Sequence, residues 1–204
     1  QVMSMTSLSL RPLIRASVLA GLFVLPIASW AADWVVSVNE QNGLPTLTRG
    51  GGLAMLSKFN FWGANWGWTG LYTGLEVTAP YSYTVSGKNK GLDFDLVADI
   101  RKESPQSLSW TFNLDAHSKQ APVMGGGVMF MFDPTLAAGE LGAPELLPDN
   151  RGWSWGKNPQ GPHIEMRFDP PLATVYFERG DPTEVRAFFY KDSISPGQKQ
   201  VKAV

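Results

Sequence analysis

Between Leu92 and Ile100 the chain keeps a nearly unbroken two-residue rhythm. Leu92, Phe94, Leu96, Ala98 and Ile100 fall on one side, and Asp93, Asp95 and Asp99 on the other. An extended strand places successive side chains on opposite faces, so this rhythm demands one face against a core and one against water. The rhythm returns at 108–116, where Trp110 runs in phase with Leu108, Phe112 and Leu114 and is expected inside. It returns again at 164–168, where Ile164, Met166 and Phe168 oppose Glu165 and Arg167. Further strand-like runs lie at 34–38, 75–79, 81–85, 128–132, 174–178 and 185–190. Clusters of Gly, Pro, Asn and Asp at 86–91, 149–152, 169–171 and 179–182 mark the turns between them. Helical periodicity is scarce, and its nearest candidate, 135–141, is short and broken by Gly139. Roughly nine or ten strands on short connections predict an all-β fold. The expected form is an antiparallel β-sandwich of jelly-roll type, with a closed barrel as the second architecture. A (β/α)₈ barrel is excluded, since it needs eight crossover helices and typically ~250 residues.

The chain has 204 residues, which is one domain by size. Residues 1–31 read as a signal peptide. Arg11 and Arg15 precede an apolar run from Ala16 to Ala28, and Ser29-Trp30-Ala31 places small residues at the −3 and −1 positions of a cleavage site. The apolar run is too short to cross a bilayer core of ~30 Å. Residues 32–204 then form the sandwich domain, with a secreted or periplasmic location and no membrane contact after cleavage. Cleavage removes two of the 17 Lys and Arg and none of the 18 Asp and Glu, moving the net charge from −1 to −3. That balance speaks against a nucleic-acid partner. With no Cys, the chain has no disulfides, no Cys-ligated zinc and no thiol catalysis. Residues 193–199 read as a loop rising toward a further strand, so the domain is expected to be truncated at its C-terminus, with more protein beyond Val204.

Aromatic residues gather at two places. The segment 59–68 holds Phe59, Phe61, Trp62, Trp66 and Trp68 among Gly and Asn residues, and 151–156 reads Arg-Gly-Trp-Ser-Trp-Gly. In extended chain Trp66 and Trp68 share a face, as do Trp153 and Trp155. Indole faces stack on the apolar C–H faces of pyranose rings, and neighbouring polar groups reach the hydroxyls, which is the usual make-up of a ligand site. Gly beside Trp would leave the indole face unobstructed. Trp66, Trp68, Trp153 and Trp155 are therefore the candidate stacking platforms, with Asn65 and Arg151 as hydrogen-bonding partners. The bland alternative places the same rings in the core, where Trp packs well between sheets.

Catalytic signatures are thin. Glycoside hydrolysis needs two carboxylates about 5 to 9.5 Å apart. Glu76, Glu165 and Glu178 lie on strands or strand ends, but no spacing selects a pair, and an Arg beside a carboxylate, as at Glu165/Arg167 and Glu178/Arg179, is more often a structural ion pair on a wet sheet face. The two histidines, His117 and His163, have no metal-binding spacing, although His163 shares a strand face with Glu165. Asp93, Asp95 and Asp99 suit a wet strand face better than a calcium loop. No metal or cofactor is implied.

The stretches 148–156, 165–171, 175–180 and 186–190 together resemble the amino-terminal β-sandwich of secreted bacterial glycoside hydrolases. In that family such a module is similar to a carbohydrate-binding domain and precedes a (β/α)₈ catalytic barrel. The resemblance spans most of 33–198 and implies a polysaccharide or oligosaccharide ligand and a downstream catalytic domain as partner. The barrel and its catalytic glutamates are not part of this sequence, so the resemblance assigns no catalytic residue. Three functions follow as expectations: an accessory polysaccharide-binding module, a small glycan-cleaving enzyme, or a structural module packed on a downstream barrel.

Overall fold

The computed structural model describes residues 34–39, 42–62, 64–66, 72–79, 82–89, 92–104, 107–116, 125–156, 161–191 and 197–204, with backbone alone for Ala64, 72–79, 82–89, 92–95 and Ala116. The signal-peptide segment, Trp68, His117 and the side chain of Glu76 lie outside what is described.

The fold is an antiparallel β-sandwich. One sheet has six strands: β1 (Trp34–Val38), β2 (Pro45–Arg49), β3 (Gly52–Trp62), β8 (Gly125–Phe132), β13 (Glu184–Lys191) and β12 (Thr174–Phe177), in that spatial order. The other has eight. It runs from β4 (Tyr72–Ala79), β5 (Ser82–Asn89), β6 (Leu92–Ser104) and β7 (Ser107–Ala116) to β14 (Gly197–Ala203), β11 (Ile164–Asp169), β10 (Gly152–Trp155) and β9 (Glu145–Leu146). The short helix α1 (Pro134–Ala138) occupies the one stretch with helical character, and Asp133 caps it by accepting from the amides of Thr135 and Leu136 (2.8 and 2.9 Å).

The alternation read in the sequence becomes alternation in burial wherever side chains are described. Leu96, Ala98 and Ile100 are buried while Val97 and Asp99 are exposed, and Met166 and Phe168 are buried while Glu165 and Arg167 are exposed. Trp110 is buried as expected, its indole N–H donating to the Gly43 carbonyl (2.9 Å). One expectation fails. The segment read as a rising loop becomes, from Gly197, the strand β14, inserted between β7 and β11. Its inward row is Lys199, Val201 and Ala203. Lys199 folds back to donate to the Phe189 carbonyl, with Nζ 5.0 Å from the centre of the Tyr190 ring.

The two sheets are joined by rings that zigzag between them. Phe59 on β3 meets Phe112 on β7 (6.2 Å), and Phe112 meets Phe189 on β13 (5.1 Å). Phe189 meets Phe168 on β11 (6.3 Å), Phe168 meets Phe130 on β8 (6.4 Å), and Phe130 meets Trp153 on β10 (5.1 Å). Each such ring contributes about 1.5–3 kcal/mol through burial, and each edge-to-face pair about 0.5–1.5 kcal/mol more. This seam holds a cysteine-free domain together without covalent links.

Candidate functional site

The outer face of the six-stranded sheet carries its own aromatic cluster. Along β3, Phe59 and Phe61 point into the sandwich, so strand parity sends Trp62 outward. Along β13, Val185, Ala187 and Phe189 point inward, which sends Arg186 and Phe188 outward. Trp62 and Phe188 meet across the intervening strand with ring centres 5.2 Å apart, tilted by 40°. The strand between them is β8, and its outward positions there are glycines: Trp62 stands opposite Gly125, and Phe188 opposite Gly127. A Cβ on Gly125 would lie 2.5 Å from the Phe188 ring. A Cβ on Gly127, also outward, would strike the main-chain carbonyl of Ala187, and on the inner face one on Gly126 would strike the Phe61 ring. The triple glycine thus lets aromatic rings close over a bare strand from both sides.

Around this floor stand more exposed groups. Trp66 follows β3 on a single turn of 3₁₀ helix in which Asn65 and Trp66 both adopt positive φ (56° and 58°), and its indole is 50% exposed, 6.4 Å from Trp62. Left-handed backbone is uncommon for such residues, and here both side chains are exposed. Tyr176 on β12 packs edge-on against Phe188 (5.4 Å). The Arg186 guanidinium lies 4.6 Å from the Trp62 ring centre and pairs with Glu178 (2.9 Å) and Glu184 (2.8 Å). Burial, and then the nearby Glu178 carboxylate, pushes the Tyr176 phenol above its ordinary range. Asn60 is in the same outward row of β3. Its amide donates to the Met129 sulfur (3.7 Å), and its side-chain oxygen is buried without a partner among the described residues.

The second aromatic segment has the opposite fate. Trp153 and Trp155 do share a face of β10, as expected, but that face is the interior: each is 1% exposed. Trp153 packs on Phe130 and Phe132 (5.1 and 4.8 Å), and Trp155 on Phe132 and Trp34 (4.9 and 6.1 Å), with its indole N–H given to the Gly142 carbonyl. Neither ring offers a face to a ligand, and both leave the stacking set. The flanking glycines serve strand packing instead. A Cβ on Gly152 or Gly156 would collide with the main-chain carbonyl of Met166 or Pro162 on the neighbouring chain segment. Arg151, half-buried, immediately precedes β10 of the eight-stranded sheet and lies 3.5 Å from the Asp169 carboxylate, whereas Trp66 follows β3 of the other sheet.

The carboxylates are held in ion pairs. Arg167 donates to Glu165 (2.8 Å), and Glu178 sits between Arg186 and Arg179 (2.9 and 3.5 Å). A cavity of about 680 Å³ lies between the two sheets, beside Trp34, Trp110, His163 and Glu165, and among the described residues Glu165 is its one acidic side chain. Among the described residues no group of three or more His, Asp or Glu could hold a metal ion. Trp62, Arg186 and Tyr176 were not singled out by sequence reasoning. The signal was there in part, since Trp62 belongs to the 59–68 cluster, but its partners lie more than a hundred residues away.

No protein-family model matches the chain, and no curated protein sequence matches it.

Proposed function

We propose that this protein is an exported polysaccharide-binding β-sandwich, the accessory module of a glycoside hydrolase, and that its sugar-binding face is the outer surface of the six-stranded sheet around Trp62 and Trp66. The observation that carries the reading is the placement of Trp66, half exposed and edge-on to Trp62, beside a cluster floored by Phe188. An open indole supplies the apolar plane for a pyranose ring, and Asn65, Arg186 and Glu184 supply donors and acceptors within the same neighbourhood. Arg186 is already fixed by two carboxylates and the Trp62 ring, so little side-chain freedom is lost when a ligand docks. Shallow sites of this kind bind in the ~µM to mM range.

Binding is favoured over cleavage because the candidate acids whose side chains are described, Glu165 and Glu178, are each engaged in an ion pair with an arginine. The test is a titration of the protein with soluble glucans, xylans and galactans, read by tryptophan fluorescence and calorimetry. At least one glycan should give a saturable change that Trp66→Ala abolishes. A flat response across the panel, or a response that survives Trp66→Ala, defeats the proposal.

A further inference from the structure

The outer face of the six-stranded sheet carries charge as well as rings. An unbroken alternation along β13 would carry Phe188 outward, Phe189 inward, Tyr190 outward and Lys191 inward. The ladder to β8 instead shifts between Phe188 and Tyr190, so that Tyr190 stands opposite Gly126 and Lys191 opposite Gly125. On the other side of β8, Gly126 stands opposite the buried Phe61, and Gly125 opposite the outward Trp62. Directly opposed residues of an antiparallel pair share a face. The bulge therefore packs Tyr190 against the core beside Phe189 and returns Lys191 to the outer face, where it is exposed. Bulges recur next to active sites because they re-aim a side chain in this way.

Here the re-aimed group is an ammonium. Lys191 and Trp62 flank Gly125 from opposite sides, two strand spacings or about 9.5 Å apart. The Phe188 ring covers the glycine between them. The neighbouring charges are already matched. Arg186 holds Glu178 and Glu184 (2.9 and 2.8 Å), and Arg179 lies 3.5 Å from Glu178. No carboxylate among the described residues pairs with Lys191. Lys58, also exposed on this face, precedes Trp62 by four positions on β3 and so lies about 13 Å down the strand.

We infer that the glycan taken by this face is acidic, a polymer of uronic acids, and that Lys191 is the residue that selects it. The inference rests on the sugar-binding reading above and names the class of ligand. A uronic acid ring held at Trp62 and Trp66 presents its carboxylate at the ring margin. The flexible four-carbon stem of Lys191 brings an ammonium across the Phe188 floor to meet it. The sign of the charge decides the class: among the described residues, the uncommitted ionic group nearest the rings is positive, so a carboxylate gains a partner there and an amino sugar meets repulsion. With a formal net charge of −1, the chain as a whole offers a polyanion no general attraction. The preference has to come from this local cation.

The probes are short oligomers of galacturonate, mannuronate and glucuronate, each set against its methyl ester, which keeps the ring and removes the charge. They are titrated by calorimetry at low ionic strength into the intact protein and into Lys191→Gln and Lys191→Arg. At least one acid should bind about threefold to fivefold more tightly than its ester, the scale of one exposed ion pair. Lys191→Gln should erase that difference and leave the ester's affinity unchanged, while Lys191→Arg should preserve it. Equal binding of every acid and its ester overturns the inference and leaves the sugar-binding reading in place. A preference that survives Lys191→Gln also overturns it, since the selecting cation would then lie elsewhere. Binding of no acid and no ester overturns it as well. In that case binding of a neutral glucan, xylan or galactan would keep the sugar-binding reading, and its absence would remove both.

Discussion

Trp62 with Trp66, and Trp153 with Trp155, come from segments that look alike: indoles spaced by small or polar residues and edged by glycine. The fold gives them opposite environments. On β10 regular strand parity puts Trp153 and Trp155 on the inner face, between two sheets, where four aromatic contacts hold them. On β3 the inner row is already filled by Met55, Phe59 and Phe61, so Trp62 must face outward, and the left-handed turn after it carries Trp66 away from the sheet. A Trp cluster thus becomes core or surface according to the phase of its strand and the interruption that follows it. Composition alone does not decide.

The largest expected difference between the two regions is in stability. Trp153→Ala leaves a large cavity in the ring seam and should lower the unfolding free energy by about 3–5 kcal/mol, measured by urea denaturation. A loss below ~1 kcal/mol would mean that β10 is not packed as described. Next is Gly127→Ala. Its Cβ meets the Ala187 carbonyl rather than a movable side chain, so we expect a loss of about 1–3 kcal/mol or more. Because Gly127 spaces β8 from β13 directly below Phe188, this variant should also shift the fluorescence of Trp62 and Trp66 while leaving that of Trp153 unchanged.

A smaller effect separates two tyrosines. Burial, and then Asp115, pushes the Tyr190 phenol up to about 12, from an ordinary value of 10.0. The folded protein then keeps a proton that the unfolded chain has released, so stability is full below pH 10 and falls as pH rises toward 12. Lys199, whose ammonium burial shifts downward, acts in the opposite sense as pH approaches its usual value. Tyr190→Phe should flatten the alkaline fall, seen as a smaller change in urea midpoint between pH 9 and 11 on an approximate grid. Tyr176→Phe, on the outer face, should flatten it less. Equal effects would mean that the outer cluster is as dry as the core. Smallest is Trp66→Ala, whose half-exposed ring predicts a stability change within about 0.5 kcal/mol, together with loss of glycan binding.

The sequence made legible those strands whose two faces differ in polarity. β6, β7 and β11 show it plainly, with Trp110 correctly inside. β3 was hidden because polarity does not separate between its faces: Ser57 lies inside and bonds the Pro45 carbonyl, while the outer row mixes Leu56 and Trp62 with Lys58 and Asn60, so no alternation survives. β14 was hidden for the converse reason. Its inner row opens with Lys199, whose ammonium escapes to the Phe189 carbonyl, leaving only Val201 and Ala203 to mark a buried face. The site was half legible. Trp66 and Asn65 are exposed as a ligand platform requires, but the pairing of Trp62 with Phe188 and Arg186 depends on β8 lying between β3 and β13, and no local pattern announces that order.

Oxidative footprinting of the tryptophans, resolved residue by residue by mass spectrometry with and without a binding glycan, puts both halves of the comparison to one test. We predict fast oxidation at Trp66, slower oxidation at Trp62, none at Trp153 and Trp155 while the protein stays folded, and selective protection of Trp66 by the glycan. Oxidation of Trp153 or Trp155 at the rate of Trp66, or protection that falls on any tryptophan other than the outer pair, would contradict the account.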